Sequence, residues 1–304
     1  MKEPLIECVP NFSEGRELDK IDAIERAISS VKGSHVLDRT SDADHNRSVI
    51  TFVGTPVSVM ESALHAAAAA AERIDLNRHS GVHPRLGALD VLPFVPVENA
   101  TLEQCVEIAQ TAGRRIWQEL HIPVYFYEAA ALQPERSKLE DVRRGEFEAR
   151  RTEGSESPAM RPDVGGPKLH PTAGAVIVGA RKFLIAFNIV LDSGDISLAK
   201  SIARRIRTSS GGFPAVKALG LTLESRGLVQ VSMNLTDFEQ TPLMIVYREV
   251  ERLAAEAGVA IEESELIGLI PQRALDGTSP EALKLRDFNA NRVLENRLRS
   301  CGLA

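Results

Sequence analysis

The run FLIAFNI, Phe183–Ile189, decides the fold. It reads as a buried strand ending near an asparagine, and the chain opens in the same way with LIECVPN, Leu5–Asn11. Downstream of FLIAFNI, Ile196, Ala199, Ile202, Ala203 and Ile206 recur at helical spacing. Leu228–Met233 (LVQVSM) reads as a strand, Thr241-Pro242 opens a helix, Leu266–Ile270 is a late strand and Pro280–Ser300 a final helix. Upstream the order is similar. After Leu5–Val9 comes a helix carrying Leu18, Ile21, Ile24 and Ile28, then a short strand from His35–Leu37 and the β-rich Ser48–Val53 behind a polar loop, Thr40–Arg47. Thr55-Pro56 is an N-cap with Pro at the first helical position, predicting a helix to about Ile74. Val91–Val97 and Pro123–Tyr127 read as strands around a Leu102–Leu120 helix headed by a Thr101/Gln104 capping box. Both halves therefore read β-α-β-β-α-β, with extra elements in the first. The expected class is α+β: two βαββαβ-type (ferredoxin-like) α/β sandwich subdomains, 1–178 and 179–304, each a sheet with helices on one face, and a ligand groove between them.

Composition narrows the function. The chain has 304 residues, a formal net charge of −6 and a pI near 5.7, which argues against nucleic acid or an anionic membrane as partner. The opening MKEPLIECVPNFSEG has no apolar core of signal-peptide length, and no run of about 20 apolar residues suits a membrane span. The alanine run Ala66–Ala71 reads as a helix packed closely on a neighbour. Cys8, Cys105 and Cys301 are too few and scattered for a disulfide framework or zinc knuckle and suit a reducing cytoplasm.

Four polar clusters are candidates for chemistry. RHSGVHPRLGALD, Arg78–Asp90, is the densest. His79 and His83 are four apart, but Gly81 and Pro84 argue against a helix there and no third ligand stands nearby, so no metal is expected. His83 reads as a proton-transfer group or as a loop histidine bonded to backbone. SDADHNR, Ser41–Arg47, holds Asp42, Asp44, His45, Asn46 and Arg47 ahead of a strand. Arg47 and Asn46 suit carboxylate recognition, or the stretch is a solvated turn. VGGPKLHPTAG lets backbone approach a ligand, or is a flexible linker; it is neither a Walker loop nor a G-x-G-x-x-G turn. Asn11, with Ser13 and Glu14, follows the first strand, and Asn188 is its counterpart in the repeat. Arg143–Arg144, Arg150–Arg151 and Arg204–Arg207 read as solvated faces, and Arg150–Pro158 as a loop.

Taken together, LIECVPNFSEG (Leu5–Gly15), HNRSVITFVG (His45–Gly54), Arg78–Val97 and GARKFLIAFNI (Gly179–Ile189) resemble the formiminotransferase domain of the formiminotransferase-cyclodeaminase family over nearly the whole chain. The resemblance implies transfer of the formimino group from N-formimino-L-glutamate to tetrahydrofolate, a co-substrate, giving 5-formiminotetrahydrofolate and L-glutamate in histidine breakdown. It implies His83, in the H-P-R motif, as the catalytic histidine. The folate loop would comprise Gly165, Gly166, Pro167, Lys168, Leu169, His170, Pro171, Thr172, Ala173 and Gly174. Substrate contacts are expected from Asn11, Asp42, Asp44, Asn46, Arg47 and Arg85. The place of a second Asp in animal members falls near Thr40 here, leaving Asp42 and Asp44 as the candidate acids. A stand-alone, cytoplasmic homodimer is expected, with a separate cyclodeaminase acting next. The alternatives are a related folate-dependent transferase using formylglutamate or formiminoglycine, and a non-catalytic folate-binding paralogue.

Overall fold

The computed structural model describes residues 3–43, 45–81, 83–153 and 161–303. The chain divides into two units, Met1–Arg181 and Lys182–Ala304. Position 178, where the repeat was expected to turn over, lies within the last strand of the first unit, Val176–Ala180.

The first unit runs β1 (Leu5–Cys8), β2 (Asn11–Phe12), α1 (Leu18–Ser29), β3 (Ser34–Asp42), β4 (Arg47–Gly54), α2 (Pro56–Arg73), β5 (Leu89–Glu98), α3 (Leu102–Leu120), β6 (Val124–Glu128), α4 (Leu139–Val142), α5 (Glu146–Glu153) and β7 (Val176–Ala180). β1 and β2 share one lane of the sheet, antiparallel to β4 on one side and β5 on the other; β3 flanks β4. This is the βαββαβ unit. β7 and β6 extend it, with β7 parallel to both β5 and β6. The helical periodicities become buried faces: Ile21, Ile24 and Ile28 of α1, and Ala63, Ala66, Ala67 and Ala70 of α2, pack with Ile6, Cys8, Phe52 and Phe94 of the sheet. Both predicted caps form. Thr55 Oγ1 accepts from Ser58 N at 3.3 Å, and Thr101 and Gln104 close a reciprocal box. The opposite face, over β5, β7 and β6, carries a smaller core in which Val142 of α4 meets Tyr125, Tyr127 and Ile177.

The second unit runs β8 (Ile185–Leu191), α6 (Ile196–Ile206), β9 (Val216–Leu223), β10 (Leu228–Leu235), α7 (Leu243–Glu256), β11 (Ile261–Ile267) and α8 (Leu294–Ser300). Its strands pair antiparallel in the order β11-β8-β10-β9, and its core joins Phe187, Ile189, Val231 and Met233 to Ile202, Ile206, Val246 and Val250.

Several local expectations are corrected. The polar loop Thr40–Arg47 is shorter than expected, because β3 pairs with β4 out to Asp42↔Arg47. Arg150 to Glu153 is the end of α5, not loop. Thr241 does not cap α7, since its hydroxyl donates to Pro214 O at 2.5 Å. The late strand is Ile261–Ile267 rather than Leu266–Ile270, ending at Gly268, whose φ is +77°. Pro280–Ser300 is not one helix. Its backbone is drawn onto β11, where Ser264 N donates to Lys284 O and Arg286 N to Ser264 O, so helix begins only at Leu294.

Candidate active site

The site grows from one buried carboxylate. Asp90 stands near the start of β5, just ahead of the apolar run Val91–Val97, and is fully buried. A carboxylate there needs partners. Its Oδ2 accepts from Arg47 Nη1 at 2.9 Å and Arg143 Nη2 at 2.6 Å, and its Oδ1 from Leu86 N at 2.8 Å. Burial works against the charge, but Arg143 and Arg47 outweigh it and bring the carboxyl from 3.8 down to about 2. Arg47 begins β4 and is braced from β2 by Asn11, whose Oδ1 accepts from Nη2 at 2.9 Å and Nε at 3.2 Å. Asn11 is fixed in turn by donating to Val9 O. Two cations thus share one anion, leaving excess positive charge beside the loop between α2 and β5.

That loop is clamped to the β3–β4 turn. Arg85 has only donors, so its Nε bond to His79 Nδ1 at 2.8 Å makes Nδ1 an acceptor. The His79 proton then sits on Nε2 and is donated to Asn46 O at 3.0 Å. Both ring nitrogens are used within the protein, which leaves none for a metal. The half-zinc spacing with His83 is therefore not expressed as paired ligation. Asn46 completes the clamp: Nδ2 donates to Ser80 O and Oδ1 accepts from Gly15 N. Gly81 approaches so closely that a Cβ there would lie 2.5 Å from His45 O. Arg85 is further engaged from α5, donating to both Glu148 oxygens at 2.6 and 3.0 Å, while Phe147 N donates to Arg85 O.

His83 follows on this loop, partly buried. Its Nδ1 lies 2.7 Å from Pro84 O. A carbonyl only accepts, so Nδ1 carries the proton and Nε2 presents a lone pair. Burial, then the charges of Arg47 and Arg143, lower its pKa from 6.5 to about 3, against the opposing pull of Asp90. At neutral pH it is a neutral imidazole. Facing it, 6.3 Å between ring centroids and inclined by 61°, is His45. Asp42 orients His45 twice, through the backbone N at 2.8 Å and through Nδ1 at 2.9 Å.

The residues named from sequence thus fall into groups. Asn11 braces Arg47, which reaches Asp90; Asn46 and Arg85 meet through His79; Asp42 touches His45, beside His83. Asp44 lies outside the described residues. The Gly165–Gly174 segment divides. Its far end is knitted down: His170 and Gly174 exchange backbone hydrogen bonds, His170 Nδ1 accepts from Ala173 N at 3.0 Å, and Thr172 O and Ala173 O accept from Leu76 N and Ala88 N. Gly174 turns there at φ +70°, where a Cβ would strike Leu86 O. Gly165 lies on the Trp117 ring. Two residues escaped the sequence reading. Asp90 left a trace, an acid directly ahead of the apolar run Val91–Val97. Arg143 left none and was read as solvated, yet it caps α4 and reaches Asp90 across 53 positions. Arg150, also read as solvated, is buried over the Tyr125 ring at 4.8 Å. Among the described residues no group of three or more His, Cys, Asp or Glu is arranged to hold a metal ion.

A neutral imidazole with one free nitrogen, set beside two arginines, is equipment for acid–base group transfer on anionic substrates. The chain belongs to the formiminotransferase family: residues 5–181 match the formiminotransferase domain, N-terminal subdomain, and residues 186–280 the formiminotransferase domain. It is 44% identical over 295 residues to a glutamate formimidoyltransferase of Streptococcus pyogenes, covering 97% of this chain and 98% of that protein. It is 43% identical to one from Thermoplasma acidophilum, covering 97% of each. The mouse formimidoyltransferase-cyclodeaminase is 46% identical over 277 residues, 89% of this chain and 51% of the mouse protein.

Proposed function

We propose that the chain transfers the formimino group of N-formimino-L-glutamate to tetrahydrofolate, yielding 5-formiminotetrahydrofolate and L-glutamate. The near-full-length similarity to proteins named glutamate formimidoyltransferase supports the activity. The observation that carries the chemistry is the tautomer of His83, with Nδ1–H held by Pro84 O and Nε2 free.

The reaction must form a bond from N5 of tetrahydrofolate to the formimino carbon, lose the N5 proton, and break the bond from that carbon to the glutamate nitrogen, which leaves with the bonding electron pair and gains a proton. Nε2 of His83 takes the N5 proton as the bond forms. Burial, and after it the charges of Arg47 and Arg143, make this imidazole a weak base. A donor bringing two carboxylates offsets that positive charge, and the basicity of His83 rises once substrate is bound. Arg47 remains the residue proposed to attract a donor carboxylate, with Arg143 beside it. Arg85, bonded to His79 and Glu148, acts on this reading by holding the loop in place. Gly165–Leu169 is proposed as the part of the glycine-rich segment that closes on tetrahydrofolate. The cysteines Cys8, Cys105 and Cys301 are free, which suits the reducing cytoplasm where we place the reaction. Incubating the protein with tetrahydrofolate and N-formimino-L-glutamate should generate 5-formiminotetrahydrofolate and equimolar glutamate. Binding of folate without turnover would replace this reading with that of a non-catalytic binder.

A further inference from the structure

We propose that Arg143 grips the α-carboxylate of the donor, and so makes the site selective for a donor derived from an α-amino acid. The inference rests on the transferase reading above.

The two arginines on Asp90 are not equally free to bind. A guanidinium is all donor, with no acceptor of its own. Every guanidinium nitrogen of Arg47 is engaged inside the protein: Nη1 donates to Asp90, and Nε and Nη2 to Asn11. Arg143 spends only Nη2, on Asp90 Oδ2 at 2.6 Å. Among the described residues its side chain makes no other hydrogen bond, and its Nε is buried without an acceptor. A buried donor left unmet is rare in a folded protein and costs stability, so it calls for a function. Reach differs as well. The Asp90 side chain is 0% exposed, that of Arg47 9% and that of Arg143 13%. Arg47 therefore attracts an anion by its charge, while Arg143 is the cation with donors left to give.

Arg143 is also held in place. Val142, just before it, is buried with Tyr125 and Ile177. The carbonyls on either side, Val142 O and Arg144 O, both accept from the buried Arg150. The following helix α5 is tied to the loop of His83 through Glu148 and Phe147, which both bond Arg85. Arg143 stands near enough to His83 for its charge to bear on the ring.

That nearness selects the carboxylate. In the donor the α-carboxylate sits on the same carbon as the reacting nitrogen, whereas the γ-carboxylate is at the far end of the side chain. A cation beside the imidazole that serves the reacting centre meets the α-carboxylate. The grip is the same before and during transfer, because neither the carboxylate nor its carbon changes bonding. It therefore appears in KM and not in kcat.

The test compares the wild type, Arg143→Gln and Arg143→Lys, with tetrahydrofolate as acceptor and two donors. One is N-formimino-L-glutamate. The other is N-formimino-γ-aminobutyrate, which keeps the distal carboxylate and lacks the α-carboxylate. Arg143→Gln should raise the KM for N-formimino-L-glutamate by about 10²–10³-fold, with kcat and the KM for tetrahydrofolate close to wild type. With the second donor the wild type should already be poor, and kcat/KM of Arg143→Gln should lie within about threefold of it, because the contact is missing from both. Arg143→Lys keeps a cation for Asp90 but loses the planar fork. It should raise the same KM at a wild-type melting temperature, and it reads the proposal even if Arg143→Gln folds poorly. If both donors weaken by the same factor, Arg143 is only the counter-charge of Asp90 and the proposal falls. It falls too if both variants keep the wild-type KM for N-formimino-L-glutamate. Either result with an active wild type overturns this inference alone, whereas an inactive wild type removes the transferase reading and this one with it.

Discussion

Replacing Asp90 with Asn tests the electrostatic frame of the site. The amide keeps the shape and can still accept from Leu86 N, but it withdraws the charge that Arg47 and Arg143 share. The fall of the Asp90 pKa from 3.8 to about 2 puts its net ion-pair stabilisation at about 2–3 kcal/mol at neutral pH. The substitution should cost more than that, because two guanidiniums are left facing each other without a counter-charge. Removing one partner of a buried pair costs about 3–5 kcal/mol. Urea unfolding at pH 7 should show this loss, and in a unit of 181 residues it corresponds to a melting temperature lower by roughly 6–20 °C. The sign against pH is fixed by the depressed pKa. The wild-type advantage is complete above about pH 5 and fades as pH falls through 4 toward 2, where Asp90 itself becomes neutral. A difference under about 1 kcal/mol at pH 7, or one that persists undiminished at pH 2.5, would refute the reasoning.

His79→Ala should act on the frame and not on the proton: it unties Arg85 from Asn46 and should cost roughly 1–3 kcal/mol in denaturant unfolding, a loss that would be absent if His79 were a free surface group. Glu7 is buried in β1, where desolvation lifts its carboxyl from 4.5 to about 7 against the pull of Arg181. Its folded pKa lies above the unfolded one, so its contribution is intact below about pH 4.5 and turns unfavourable as pH rises to 7. Glu7→Gln should therefore be more stable than wild type by about 3 kcal/mol at pH 8 and nearly equal at pH 4, as read by melting at the two pH values. Saturating tetrahydrofolate should slow amide exchange over residues 165–169 while barely changing His170 and Gly174, which are already bonded to each other; no protection at 165–169 would exclude that stretch from the folate site.

Where local physics set the structure, the sequence could be read. The capping box at Thr101 and Gln104, the Thr55-Pro56 helix start and the isoleucine stripe of α1 each depend on neighbours within a turn or two. Where distant chain competes for the same groups, local reading failed. Thr241 repeats the Thr-Pro signal, but Pro214 O captures its hydroxyl. The 280–293 stretch gives up helix for β11. β9 went unread, because its exposed Leu219 and central Gly220 break the alternation that marks a half-buried strand. In the site, His83 was visible through its loop of Gly and Pro, and Asn11 and Arg47 through their clusters. The link from Asn11 through Arg47 to Asp90, and the arrival of Arg143 from the end of α4, belong to tertiary structure alone.

The base role of His83 is tested most directly by His83→Ala, assayed for 5-formiminotetrahydrofolate formation from tetrahydrofolate and N-formimino-L-glutamate, with the Kd for tetrahydrofolate and the melting temperature measured on the same sample. A base acting on the N5 proton in the transition state, and not anchoring substrate, should show a kcat lower by about 10²–10⁴-fold with Kd and melting temperature close to wild type. A variant that keeps more than about a tenth of the wild-type kcat, or that loses activity only in step with its melting temperature, would contradict the account.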